Sequence, residues 1–190
     1  MKGKGITAEL ITDTALQLVR EHGYGNYTVR DLAARLEVKA ASLYKHISSI
    51  EEVNREIGRR AAAEMNRSLT EAHTGMEKDA ALAAVANAYR CFATKEPELY
   101  HAIIGMPALE GNEESLRIGR ESFRPIRTVV DTYGVDKATA IHFSRCFRSA
   151  LHGFVAQLEA GYYTNKDYSA DESFAFLIRG FTEWINHLAE

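Results

Sequence analysis

Between Thr28 and His46 the chain concentrates side chains suited to phosphate and base-edge chemistry. They are the hydroxyls of Thr28, Ser42 and Tyr44, the cations of Arg30, Lys39 and Lys45, and the imidazole of His46. A hydroxyl at a helix start offers itself and the adjoining backbone N–H groups to a phosphate. Lysines close by neutralise a polyanion, and cationic side chains can read base edges. Ala40 and Ala41, lying between them, offer little hydrogen bonding, so direct readout rests on few groups such as Lys39, Lys45 and Arg30.

Elsewhere the chemistry is thinner. His142 and Cys146 stand four apart, a spacing that can clamp a metal on a helix, but two ligands do not complete a site. No metal and no cofactor is expected. Arg117, Arg120, Arg124 and Arg127 recur at helical spacing. That stripe either selects an anionic ligand or forms a solvated face paired with Glu113, Glu114 and Glu121. There is no Gly-x-Ser-x-Gly elbow, phosphate-binding loop or His-Glu-x-x-His motif, so no enzyme is expected.

The elements that must position the Thr28–His46 set are helical. Ile11, Ala15, Leu18 and Val19 share one face of a helix over residues 7–22, closed by Gly23. Thr28 and Asp31 open a second helix with an imperfect capping box, Asp being shorter than Glu, and Val29, Leu32, Ala33 and Leu36 face one side. A turn over residues 37–39 leads to a third helix over residues 40–46. Leu43 and Ile47, four apart, pin it to the core. Two short helices braced by a longer one make a helix-turn-helix, with the third helix in a major groove. Ser48 and Ser49 compete to cap a long fourth helix running to about residue 74, with Ile50, Val53, Ile57, Ala61, Met65 and Leu69 as its apolar stripe. Further helices are expected at residues 77–94, 97–106, 113–133, 136–162 and 170–188. The fold class is all-α, about nine helices, with a DNA-binding head at residues 1–48 and a larger body at 49–190.

Composition agrees. In 190 residues there are three prolines, 13 scattered glycines and two cysteines, and 46% of residues are hydrophobic. That is enough for a core without disulfides, and a reducing cytoplasm is the default. The start MKGKGITAEL has no secretory apolar run, and no stretch is long enough for a membrane span. The net charge of −3 argues against a uniformly basic nucleic-acid coat, but it is an average. Residues 1–50 hold seven basic and five acidic residues, and the rest hold 16 and 21. A mildly basic head sits on an acidic body.

The segment TVRDLAARLEVKAASLYKHISSIEEV resembles the DNA-binding domain of the TetR/AcrR family of transcriptional regulators. The resemblance covers about residues 6–53. It implies that Ser42, Tyr44 and His46 face the DNA backbone while Lys39, Ala40 and Ala41 approach the bases. Four positions depart from the family pattern: Glu37 replaces the turn glycine, Lys39 the serine N-cap of helix three, Ile47 a phenylalanine and Ile50 a lysine. A glutamate needing φ > 0 would be strained by roughly 1 kcal/mol.

SALHGFVAQLEAGYY and FAFLIRGFTEWI resemble the Trp-His-Gly type of C-terminal domain, with Leu151 in place of the tryptophan. This weaker resemblance covers about residues 80–188 and implies a ligand-binding, dimerising body. Tyr89, Phe92, Tyr100, Phe123, Phe143 and Phe147 lie on helices that line the pocket in relatives, with His101, Arg120, His142 and Cys146 as polar candidates. The last two long helices would form a four-helix bundle with a second subunit through Gly153, Phe154, Gln157, Leu158, Phe181 and Trp184. The implied protein is a cytoplasmic homodimer on a palindromic double-stranded DNA operator, a repressor released by a small-molecule effector, with no membrane partner. The alternatives are an activator, or a helical ligand-binding or scaffold protein whose head does not bind DNA specifically.

Overall fold

The computed structural model describes residues 5–106 and 123–190. Among them there are nine helices and no strand. They are α1 (Ala8–His22), α2 (Val29–Arg35), α3 (Ala40–Leu43), α4 (Ile50–His73), α5 (Lys78–Lys95), α6 (Pro97–Ile104), α7 (Arg124–Asp131), α8 (Lys137–Glu159) and α9 (Ala170–Leu188). Of the helix expected at 113–133, only the part from Phe123 falls in the described residues, and it is helical over Arg124–Asp131. None of the nine is long and apolar enough to cross a membrane.

Two compact units form. Of the described residues, 5–64 and 96–106 belong to the first, and 65–95 and 123–190 to the second. In the first unit, the Leu10 amide donates to the Thr7 side chain at 3.1 Å, starting α1, and the Gly23 amide donates to the Val19 carbonyl at 2.8 Å, ending it. Ile11, Ala15, Leu18 and Val19 are buried with Leu32, Leu43, Ile47, Val53, Ile57 and Ala102. Burial of that stripe holds the short helices; α2 and α3, at seven and four residues, are far below the length that is stable alone.

Side chains of the loop after α1 tie it to α4 and α6. Tyr27 is buried and its hydroxyl donates to Asn54 Oδ1 at 2.6 Å. Burial pushes its phenol well above the usual range. The Tyr24 amide donates to Glu98 Oε2 at 2.7 Å, and its hydroxyl to the Gly105 carbonyl at 3.2 Å. A Cβ on Gly58 would lie 2.8 Å from the Ala102 carbonyl oxygen, so α4 and α6 approach closely only because that position has no side chain.

In the second unit, α5 is buried along Ala81, Leu82, Val85, Ala86, Tyr89, Phe92 and Ala93. It packs on α7, α8 and α9. Asp136 accepts from the Ala138 and Thr139 amides to start α8, and Ser169 with Glu172 forms a full capping box for α9. Asp79 Oδ1 accepts from the Tyr133 hydroxyl at 2.9 Å and from Asn186 Nδ2 at 3.0 Å, joining the start of α5 to the ends of α7 and α9.

Candidate nucleic-acid interface

The α2 capping box is complete despite the short aspartate. The Thr28 amide and hydroxyl both donate to Asp31 Oδ2 at 2.7 Å, and the Asp31 amide donates to Thr28 Oγ1 at 3.3 Å. Those bonds from the Thr28 hydroxyl and amide hold the Asp31 carboxyl below its ordinary range. A lowered carboxylate contributes its stability above the unfolded pKa and loses it as pH falls through the folded one. The Thr28 hydroxyl proton is therefore already engaged within the cap.

The end of α2 fixes how the third segment is presented. The Val38 amide donates to the Ala33 carbonyl at 2.9 Å and the Glu37 amide to the Ala34 carbonyl at 3.1 Å. These are the two bonds of a Schellman motif, and Glu37 occupies the left-handed position, at φ 56°. The expected strain is real. Glu37→Gly is expected to raise the stability of the head by about 0.5–1 kcal/mol, read from the midpoint of urea unfolding with an unchanged slope.

The third helix is shorter than the expected span 40–46. It ends at Leu43 because the amides of His46 and Ile47 converge on the Leu43 carbonyl, at 2.8 and 3.1 Å, which tightens the last turn. Tyr44, Lys45 and His46 thus lie in a turn just beyond α3. Lys39, in the N-cap position, makes no side-chain cap bond. Leu43 is fully buried and Ile47 nearly so, as their spacing predicts. Tyr44 is 56% exposed, although it is a large aromatic. Lys39, Ala41, Lys45 and His46 are exposed, and Ala40 and Ser42 half-buried.

The electrostatics sort the head's cations. Arg35 is clamped by Glu21 through two bonds, at 3.0 and 2.5 Å. Arg20 lies 3.6 Å from Glu96, and Arg59 and Arg60 both bond Glu56. Arg60 also reaches Asp13. Among the described residues, Arg30, Lys39 and Lys45 have no acidic partner within 4.0 Å, and all three are exposed. Of these, Arg30 stands near the start of α2, Lys39 precedes α3 and Lys45 lies in the exposed turn; Arg55 on α4 likewise has no acidic partner within 4.0 Å among the described residues.

The ligand candidates divide. Tyr89, Phe92, Phe143 and Phe147 are buried in the second unit. Phe123 is half-buried there, 6.5 Å from the Tyr89 ring and beneath the Arg148 guanidinium at 4.5 Å. Tyr100, buried, and His101, half-buried and 3.7 Å from Glu98, belong to the first unit. His142 and Cys146 are exposed, and Arg120 lies outside the described residues. No group of three metal-ligating side chains occurs among the described residues.

Residues expected in the pocket and in the dimer contact meet in one aromatic cluster. The Phe181 ring lies 5.6 Å from Phe143 and 5.0 Å from Phe147, and Trp184 lies 5.2 Å from Phe143. Phe154 is buried inside the protomer against Tyr163 and Phe174. Gln157 and Trp184 are exposed, and Gly153, Leu158 and Phe181 half-buried. Phe176, not singled out in the sequence, is 69% exposed and falls in line with Gly180, Trp184 and Leu188 at every fourth residue of α9.

Comparison with known proteins fits both units. Residues 11–61 match the model of bacterial regulatory proteins of the tetR family, and residues 82–181 that of the tetracyclin repressor-like C-terminal domain. The HTH-type transcriptional regulator Rv0681 of Mycobacterium tuberculosis is 32% identical over 150 residues, covering 79% of this chain and 69% of that protein. The HTH-type transcriptional regulator YobS of Bacillus subtilis is 26% identical over 179 residues, covering 93% and 91%. A single-residue variant of TetR from Acinetobacter baumannii, solved in complex with minocycline, superposes with a TM-score of 0.69 at 19% identity, covering 98% and 99%. With an exposed, cation-flanked helix-turn-helix followed by a helical ligand-binding domain, the chain belongs to the tetR family of bacterial DNA-binding transcriptional regulators.

Proposed function

We propose that this regulator is a homodimeric repressor that binds a palindromic operator and is released by a small-molecule effector. Residues 1–48 read DNA, and residues 49–190 bind the effector and the second subunit. Each head lays Lys39 to His46 against a major groove, with half-sites about 34 Å apart or a multiple of that. Thr28, Ser42, Tyr44 and His46 contact the backbone. Arg30, Lys39 and Lys45 supply the charge, and Ala40 and Ala41 lie nearest the base edges.

The observation that carries this reading is the selective pairing of charge: the other described cations of the head, Arg55 apart, are tied to carboxylates, and these three are not. An unpaired, exposed cation costs nothing to withdraw from an internal partner when it meets phosphate. Among the described residues such groups are few in each head, which makes non-specific affinity modest, so specificity leans on the spacing of two heads.

The test is a salt titration of operator binding with the wild type and Lys45→Ala. Each phosphate contact adds about 0.9 to the slope of log K against log salt. A dimer carries two copies of the substitution, so the slope should flatten by about 2. A slope identical to wild type would remove Lys45 from the interface.

A further inference from the structure

One cavity of the second unit lies away from the aromatics read from the sequence. It is an open groove of about 560 Å³ along one face of α5 and the facing side of α9. That volume lies within the range of small-molecule sites. Its floor is apolar, made by Ala83, Phe174, Ala175 and Ile178. Arg90 closes one end, and Asp79 with Glu183 marks the other.

Arg90 is the notable group. Its guanidinium lies 4.4 Å over the Phe174 ring, which fixes the plane of the fork above the apolar floor. One nitrogen donates to Asp171 Oδ1 at 2.7 Å. Among the described residues its other donors have no partner. The two partners differ sharply in exposure: the Arg90 side chain is 24% exposed and that of Asp171 84%. An ion pair with one end in open water contributes little, so Asp171 is displaceable. Its carboxylate occupies the place that a ligand carboxylate would take.

We propose that this groove binds a small amphipathic carboxylate, with Arg90 as the anion anchor and the apolar floor under the tail. A monoanion suits the single fork that Asp171 now occupies. A dianionic phosphate would add two charges to a groove whose lining already sets Asp79, Asp171 and Glu183 against Arg90 and Arg179. A cationic head would meet Arg90 at the apolar end. The floor also sets the tail length. From Arg90 to Ala83 is seven residues, about 10 Å of helix, with the Asn87 amide between them and Asp79 beyond. Planar guanidinium and planar carboxylate match through two parallel bonds, which a phenol or alcohol cannot supply.

The proposal names the ligand class of the effector-binding domain proposed above, but its test involves no DNA, so the two can fail separately. Octanoate is titrated into the full-length protein by calorimetry, with octanol and octylammonium as matched controls. Saturable octanoate binding is expected, one per protomer, with both controls at least about ten-fold weaker, the loss of one charge-assisted contact. Arg90→Gln should weaken octanoate by a similar factor. Asp171→Asn, which removes the internal competitor, should tighten it several-fold, a change of sign that general hydrophobic binding does not produce. Ala83→Trp, at the floor, should abolish it while leaving the helical circular dichroism unchanged. Absence of saturable octanoate binding, equal binding of octanol, or weaker binding by Asp171→Asn would overturn the assignment.

Discussion

Leu43→Ala is expected to cost about 2–4 kcal/mol and to reduce operator affinity about a hundred-fold or more, although its side chain does not reach DNA. Leu43 is fully buried and is the one residue of α3 that enters the core of the first unit. The helix around it has four residues and no side-chain N-cap, so neither propensity nor capping holds it in place. Packing does so alone. With Leu43 truncated, the exposed turn carrying Tyr44, Lys45 and His46 loses the point that orients it. Tyr44→Phe is the matched comparison: Tyr44 is mostly exposed and its loss of a hydroxyl should weaken DNA binding with little change in stability. Denaturant unfolding and gel retardation on the same preparations separate the two. Wild-type affinity for a destabilised Leu43→Ala would show that the segment is oriented by something else.

Gly153→Arg is expected to split the proposed dimer and with it operator binding, while leaving the protomer at least as stable. Nothing lies within 4 Å of a Cβ built at Gly153, so the protomer has room for the side chain. A mid-helix glycine also costs up to about 1 kcal/mol relative to alanine, and any replacement relieves that. A second subunit packed on the face of Gly153, Gln157 and the Phe176–Leu188 stripe would meet that arginine in the contact. Losing the linkage of two heads removes the effective-concentration advantage, about 10²–10⁴ in affinity. Light scattering should give the protomer mass, thermal unfolding an unchanged or higher midpoint, and gel retardation little or no shifted DNA. A variant that remains dimeric would move the interface elsewhere.

Much of this was legible in the sequence because periodicity and capping are local. The apolar stripe of α1, the Thr28–Asp31 box and the stripe from Val53 to Leu69 all appear where spacing places them. Glu37 is instructive. A glycine-free turn carried the prediction of strain, and its φ of 56° bears it out, whereas the same bond pattern at the end of α8 uses Gly161, at φ 74°. What stayed hidden depends on contacts between distant residues. Tyr24 and Glu98 are 74 residues apart, and no spacing rule pairs them. Tyr27 was closer to reach: it stands just before the N-cap, where an apolar side chain often packs on the helix it precedes. The early end of α3 turns on two amides sharing one carbonyl, a detail that side-chain pattern does not encode. The polar ligand candidates rested on resemblance alone, and two of them, His142 and Cys146, are exposed, while the groove at Arg90 depends on α5 and α9 running side by side.

Gel retardation with DNA upstream of the protein's own gene asks whether the unpaired cations of the head bring a dimer to specific DNA. The expected result is a discrete complex at low salt, carrying two protomers, that outlasts excess unrelated DNA and weakens steeply as salt rises. A folded dimer that retards no such fragment specifically, at any salt, would contradict it.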